Sequence, residues 1–371
     1  MQSPVGVFCP SLNVCGGGEF VAIAIANTLA QNNQKVTLFA NSGVDLSAIK
    51  DFFGETLNSS ILTIKQPTYF PSRSLADFYQ TALHSYIAKT KSSLFIDVFS
   101  NCVFPWANIT YIHYPYLNHR FFRPRFPYLE NPSLLQAGTI PHVLLEKNLV
   151  SYDDKLVLAN SRYTAEEIKQ YSKKTAHVLY PPYSSVISEL GKQTTKNPTE
   201  NLVVTISRIE PTKLLERIPY IAAQTPRSTN YAVVGRLYNK QTLTYLQNLT
   251  KKLGVTDRVK FYPDASSETK IALLQKARVY LHTMVGEHFG IATVEAMALG
   301  CIPIVHNSGG MKEFVPNRCR YETLPEAVDK VTSAIENWST EESNAAKTTA
   351  EQFSISNFSK RFLQLYSEYN N

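Results

Sequence analysis

The strongest constraint on the fold is an alternation of short β-branched runs with helical stretches. Val5-Gly-Val-Phe-Cys9, Val36-Thr-Leu-Phe-Ala40, Ile61-Leu-Thr-Ile64, Ser93-Leu-Phe-Ile-Asp97 and Ile109-Thr-Tyr-Ile112 begin a first series, which residues 155–159 and 178–180 continue. Residues 20–29, 75–89, 143–152 and 164–171 read as helices, the last capped by Asn160-Ser161. A second series starts at Leu202-Val-Val-Thr-Ile206 and runs through Tyr231-Ala-Val-Val-Gly235, Val259-Lys-Phe-Tyr262, Val279-Tyr-Leu-His282 and Ile302-Pro-Ile-Val-His306. Helical stretches at 239–253, 267–277, 295–299, 324–338 and 341–352 accompany it. Strands this apolar, each followed by a helix, belong to parallel sheets covered on both faces. The polar Ser/Thr/Lys-rich stretch 184–199 separates the series and marks a domain boundary. The expected class is α/β, with two Rossmann-like domains at 1–182 and 183–355. Each half of the 371 residues is long enough for its own core. A last helix, 356–371, carries an apolar stripe of Phe358, Phe362, Leu365 and Tyr369 that must pack on something.

In such sheets ligands bind beyond the carboxyl ends of the strands, so residues just after each strand are the candidates. After the first strand come Gly16, Gly17 and Gly18, a loop whose backbone can pass close to a substrate, or simply a flexible connection. They do not form the dinucleotide pattern G-x-G-x-x-G. His113 follows the strand 109–112 directly, where an imidazole can hydrogen-bond a hydroxyl or merely end the strand. Arg208 and Lys213 flank a proline turn after 202–206 and can converge on a diphosphate, Arg as a fork and Lys as a point charge. Gly235 tips the next strand. The stretch from Gly286 to Glu313 holds Glu287 and Glu295, with a Phe289-Gly290 turn between them and Ile291 opening a helix. Free N–H groups at that helix start favour a phosphate or sugar oxygen. Glu295 lies about a turn inside it, able to accept ribose hydroxyls.

A net charge of +7 suits an anionic partner, and 44% hydrophobic with 18% charged residues is a globular composition. The basic residues are spread out and form no nucleic-acid-binding module. Five scattered cysteines with no C-x-x-C indicate reduced thiols, without a zinc site or disulfide framework. The start of the chain lacks the layout of a signal peptide, and no apolar run approaches the roughly 20 residues of a membrane helix. From Tyr116 to Tyr128, arginines alternate with aromatics among prolines, a composition that can dock at a membrane interface or pack as an ordinary loop.

Taken in order, Gly16-Gly-Gly-Glu19, Tyr111-Ile-His-Tyr-Pro115, Asn160-Ser161, Tyr180-Pro-Pro182, Ser207-Arg208 with Lys213, Glu287-x7-Glu295 and Asn307-Ser-Gly-Gly310 resemble the GT-B glycosyltransferases of retaining family 4. The wording is most similar to the dolichol-pathway α-1,2-mannosyltransferases. The resemblance implies two domains facing across a cleft, residues 1–182 on the acceptor side, 183–355 binding the nucleotide sugar, and the last helix returning to the first domain. It implies that Arg208 and Lys213 neutralise the donor diphosphate and that Glu295 holds the ribose. Glu287, Phe289, Gly290 and Ile291 would meet the donor sugar, His113 the transferred sugar, and Gly16–Gly18 the phosphates or acceptor. Glu287 and Glu295 are then hydroxyl-binding carboxylates and not an acid/base pair. The implied reaction moves mannose from GDP-mannose to a glycan or polyprenyl-linked acceptor. A UDP-sugar donor and a non-catalytic nucleotide-sugar-binding protein are the alternatives. No Asp-x-Asp pair occurs, so neither a metal nor another cofactor is expected. Two departures stand out. Leu214 follows the lysine where the family has glycine or asparagine, so that turn is expected to differ. No stretch matches the membrane helix at the start of the eukaryotic relatives, which leaves attachment to the cytosolic face of a membrane to the surface from Tyr116 to Tyr128.

Overall fold

A computed structural model describes residues 3–12, 16–41, 44–67, 69, 75–115, 138, 140–141, 144–146, 148, 150–193, 198 and 200–370. The stretch from Tyr116 to Tyr128 lies outside the described residues. The chain divides into two compact units. The first joins Met1–Pro182 to Ile355–Asn371, and the second is Tyr183–Ser354.

The first unit is built on a sheet of β1 (Val5–Phe8), β2 (Val36–Ala40), β3 (Leu62–Lys65), β4 (Leu94–Asp97), β5 (Ile109–Ile112), β6 (Leu156–Ala159) and β7 (His177–Val178). Its spatial order is β3-β2-β1-β4-β5-β6-β7 and every pairing is parallel. The second unit repeats the plan with β8 (Leu202–Ile206), β9 (Asn230–Gly235), β10 (Val259–Pro263), β11 (Val279–His282), β12 (Ile302–His306) and β13 (Arg320–Tyr321). Its order is β10-β9-β8-β11-β12-β13, again parallel throughout. In each sheet the order runs outward from the first strand and then reverses. The reversal leaves a crevice beyond the strand ends, between β1 and β4 in one sheet and between β8 and β11 in the other.

The central strands are apolar because both faces are covered: every residue of β1, β2, β5, β6 and β11 is buried. The helix Ile355–Asn370 inserts Phe358, Phe362 and Leu365 into the core formed by β1, β2 and the helix Gly17–Gln31. Each such side chain contributes about 2 kcal/mol on burial. The hydroxyls of Thr28 and Ser359 meet at 2.7 Å across the same contact.

Several elements differ from the sequence expectation. The three glycines are not a loop: Gly17 and Gly18 are the first helical residues of Gly17–Gln31, and Gly16 is its cap. Gly16 N–H donates to Glu19 Oε2 at 3.0 Å, while Ser11 Oγ donates to the other oxygen at 2.6 Å. That carboxylate at the helix start offsets the poor helix propensity of glycine. The polar stretch after 184, read only as the domain boundary, holds a helix. Ser185–Gln193 is a helix of the second unit, with Ile187 and Gly191 buried. A Cβ on Gly191 would stand 2.3 Å from the Ala298 carbonyl oxygen, so the helix is packed tightly there. Within the expected helix 143–152, Val150 and Tyr152 are not helical. The helix Leu46–Phe53 and the strand Arg320–Tyr321 had no sequence signal strong enough to name.

Candidate active site

The crevice of the second sheet gathers charged groups from the ends of β8 and β11. After β8 the chain makes a short turn, Pro211–Lys213, and Leu214 then takes a left-handed conformation (φ 52°, ψ 39°). A leucine there holds the backbone shape that glycine or asparagine adopts more easily, at a cost of about 1–2 kcal/mol. Thr283, just beyond β11, donates its hydroxyl to the Lys213 carbonyl at 2.8 Å and ties the two strand ends together.

Lys213 Nζ lies 2.8 Å from Glu287 Oε2 and 3.1 Å from Met284 Sδ. His282 Nε2 approaches the same carboxylate oxygen at 3.3 Å. The other oxygen accepts the His288 N–H at 3.2 Å. Burial opposes ionisation of Glu287, but the Lys213 ammonium and the His282 hydrogen bond outweigh it and hold the carboxyl well below its usual range. The turn carrying Glu287 is pinned from behind. Gly286 N–H donates to Ser308 Oγ at 2.7 Å, and Ser308 Oγ stands 2.8 Å from His306 Nδ1 at the end of β12. Gly310 N–H donates to the Glu287 carbonyl at 2.8 Å.

Glu295 sits in the helix Ile291–Ala298 and is paired with Lys270, whose Nζ lies 3.2 and 3.4 Å from its two oxygens. Gly290 caps that helix at φ 94°, where an added Cβ would stand 3.0 Å from Met311. The Phe289 ring is buried against Phe314 and Phe353, at 5.2 Å from each, so only its backbone can serve the site. The N–H groups of Ile291 and its neighbours have no intrahelical acceptor, as in any first helical turn. Arg208 is half exposed, pairs with Glu210 at 3.0 Å and lies over the Tyr238 ring at 5.1 Å. Gly235 presses on β8: a Cβ there would fall 1.9 Å from the Ser207 carbonyl oxygen, which gives this glycine a packing role. Arg208 and Lys213 thus each hold a carboxylate of the same unit.

The first unit has its own cluster at the ends of β4 and β5. His113 N–H donates to Asn101 Oδ1 at 2.8 Å, and its Nε2 lies 2.9 Å from the Val98 carbonyl. Burial pushes this imidazole down to about 4, so it is neutral at pH 7 and donates through Nε2 to the backbone. The sugar-donating role expected of His113 is therefore already occupied at Nε2, leaving Nδ1 as an acceptor. Gly18 is a glycine because a Cβ would meet the His113 ring at 3.0 Å. The structure joins Gly16–Gly18 to His113 within this unit, and Lys213 to Glu287 within the other.

Sequence reasoning missed His282 and Lys270. His282 ends a strand just as His113 does, so the same edge argument applies to it. Lys270 lies far from Glu295 along the chain, and nothing in the sequence joins the two. Among the described residues no group of three or more His, Cys, Asp or Glu is placed to hold a metal ion, and no helix is long and apolar enough to cross a membrane.

The profile of the glycosyl transferases group 1 family matches residues 186–353. A GDP-Man:Man(3)GlcNAc(2)-PP-Dol alpha-1,2-mannosyltransferase of Dictyostelium discoideum is 30% identical over 246 residues, 58% of this chain and 48% of that protein. The chain spans about half the length of the curated α-1,2-mannosyltransferases it matches. The alpha-1,3/1,6-mannosyltransferase ALG2 of Candida glabrata is 26% identical over 82% of this chain and 76% of its own. Among solved structures, a sucrose-phosphate synthase from Thermosynechococcus elongatus matches with a TM-score of 0.76 at 16% identity over 99% of each chain. Residues 186–353 therefore match the group 1 glycosyltransferase family, in a chain that has the GT-B fold and resembles the dolichol-pathway mannosyltransferases.

Proposed function

We propose that the chain is a retaining hexosyltransferase that moves mannose from GDP-mannose to a lipid-linked oligosaccharide without a metal ion. The observation that carries this reading is the Lys213–Glu287–His282 cluster at the crevice of the group 1 domain. The donor and acceptor are those in the names of the similar mannosyltransferases. On donor binding, Lys213 and Arg208 exchange their carboxylates for the diphosphate and supply the charge a cation would otherwise bring. Glu287 accepts hydroxyls of the sugar, Glu295 those of the ribose, and the backbone from Phe289 to Ile291 donates to donor oxygens. Gly235 shapes the loop beside them. The first unit is assigned the acceptor, with His113 and the helix start at Gly16–Gly18. In the transfer the bond from the anomeric carbon to the leaving phosphate oxygen breaks as the acceptor oxygen bonds to the same face. The acceptor proton passes to that phosphate, so no enzyme nucleophile is needed.

Thermal-shift and turnover measurements with GDP-, UDP- and ADP-sugars, with and without EDTA, test the reading. Stabilisation and consumption confined to GDP-mannose, insensitive to EDTA, is the expected outcome. A response to UDP-sugars alone would replace the donor, and an EDTA-sensitive rate would replace the charge chemistry. Lys270 offers a second check. Lys270→Met is expected to raise the donor KM about tenfold, a loss of about 1.4 kcal/mol, with kcat nearly unchanged. A fall in kcat at constant KM would mean that Glu295 does not hold the ribose.

A further inference from the structure

We infer that His282 is the positioning residue that keeps the Glu287 carboxylate in place once Lys213 has turned to the donor diphosphate; this rests on the reading above. Lys213 and His282 address the same oxygen, Oε2, at 2.8 and 3.3 Å. They differ in what holds them. Lys213 is a point charge on a flexible stem, free to follow a phosphate. His282 is the last residue of β11, only 5% exposed, paired in register with Val305 of β12. Its carbonyl accepts the Tyr321 hydroxyl at 2.9 Å, and the next residue, Thr283, is tied to the Lys213 carbonyl. Its Nδ1 is buried and has no hydrogen-bond partner. Among the described residues Glu287 is the acceptor within reach of the ring, so the ring serves that carboxylate through Nε2.

Donor binding makes this arrangement matter. Glu287 is nearly buried, and the departure of Lys213 removes the ammonium that contacts it. The His288 N–H then holds Oε1, and His282 alone holds Oε2. Without His282 the carboxylate would take a proton or rotate toward water, and either change removes an acceptor from the sugar. His282 therefore contributes to the sugar end of the site and nothing to the nucleotide end.

The experiment pairs His282→Leu with His282→Gln, whose amide can place an N–H near Nε2. Consumption of GDP-mannose, including slow hydrolysis without acceptor, is measured beside GDP affinity by calorimetry. The Leu variant is expected to lose about a hundredfold in turnover, with GDP affinity within about twofold of the parent, because GDP has no sugar for Glu287 to hold. The Gln variant is expected to recover at least a tenth of the parental turnover. A Leu variant within threefold of the parent overturns the inference. So does a parallel loss of GDP affinity, or a Gln variant no better than Leu. A thermal measurement decides the His282 contact without any donor. In a Lys213→Met background, which imitates the displaced lysine, His282→Leu is expected to lower Tm by at least about 3 °C more than it does when Lys213 is present. Equal losses in both backgrounds would also overturn the inference. A parent protein that binds no GDP would instead overturn the mannosyltransferase reading.

Discussion

Lys213→Ala is expected to slow transfer by a hundred- to a thousandfold, the usual consequence of removing one preorganised charge from a transition state. It is also expected to cost stability in a way that depends on pH. With Lys213 present, Glu287 titrates well below its ordinary value of 4.5, so the pair stabilises the fold above that value and the contribution is lost as pH falls through the folded value. With the lysine gone, burial acts on Glu287 against only the His282 and His288 contacts, and the carboxyl moves up. Breaking a pair this buried costs about 3 kcal/mol at neutral pH, and protonation of Glu287 relieves the cost. The difference in Tm between parent and variant should therefore be largest near pH 7 and narrow as the pH falls toward 4.5. A constant difference across that range would mean that Glu287 is not the group left behind.

Gly309→Ala is expected to have the second largest effect. Gly309 has φ 73°, and its missing Cβ would stand 2.1 Å from the Glu287 carbonyl oxygen and 2.9 Å from the Glu287 nitrogen. The left-handed backbone alone costs a non-glycine residue about 1–2 kcal/mol. The clash adds a displacement of the turn that aims Glu287 and breaks the hydrogen bond from Gly310 N–H to the Glu287 carbonyl. A shift of an ångström at a reacting site can cost about a hundredfold in rate, so turnover should fall by more than tenfold beyond any loss of stability. Gly254→Ala is the control. Gly254 has φ 67° but nothing within 4 Å of its missing Cβ, so it carries the backbone strain without the clash. Similar kcat values for the two variants would show that Gly309 matters only for its backbone.

The parallel sheets were legible because short apolar runs such as Leu202–Ile206 and Val279–His282 have no other reading once helices alternate with them. The helix start at Gly17 was not, because glycine is a poor helix former and only the third dimension supplies the reason for Gly18: the His113 ring occupies the space a Cβ would need. The helix Ser185–Gln193 was not legible because its buried residues are only Ile187 and Gly191, too few to set up an apolar stripe. In the site, strand-end reasoning located Lys213, Glu287 and His113. It could not say whom they touch. The pairing of Lys213 with Glu287 depends on β11 lying beside β8, and that of Glu295 with Lys270 on the helices before and after β11 packing together, neither of which any spacing in the sequence records.

On the proposed reading, the ion pairs of Arg208 with Glu210 and Lys213 with Glu287 bear on a problem every diphosphate site faces in a cell. Bare cations in a crevice would attract any phosphate in solution. Here each cation already has a counter-ion, so a ligand must replace what it displaces. Inorganic phosphate can compensate the lysine but leaves the Glu287 carboxylate stranded. A sugar diphosphate brings oxygens for the cations and hydroxyls for the carboxylate together, and the exchange comes out even. Self-neutralisation thus acts as a filter, passing a ligand for the completeness of its groups and not for its charge.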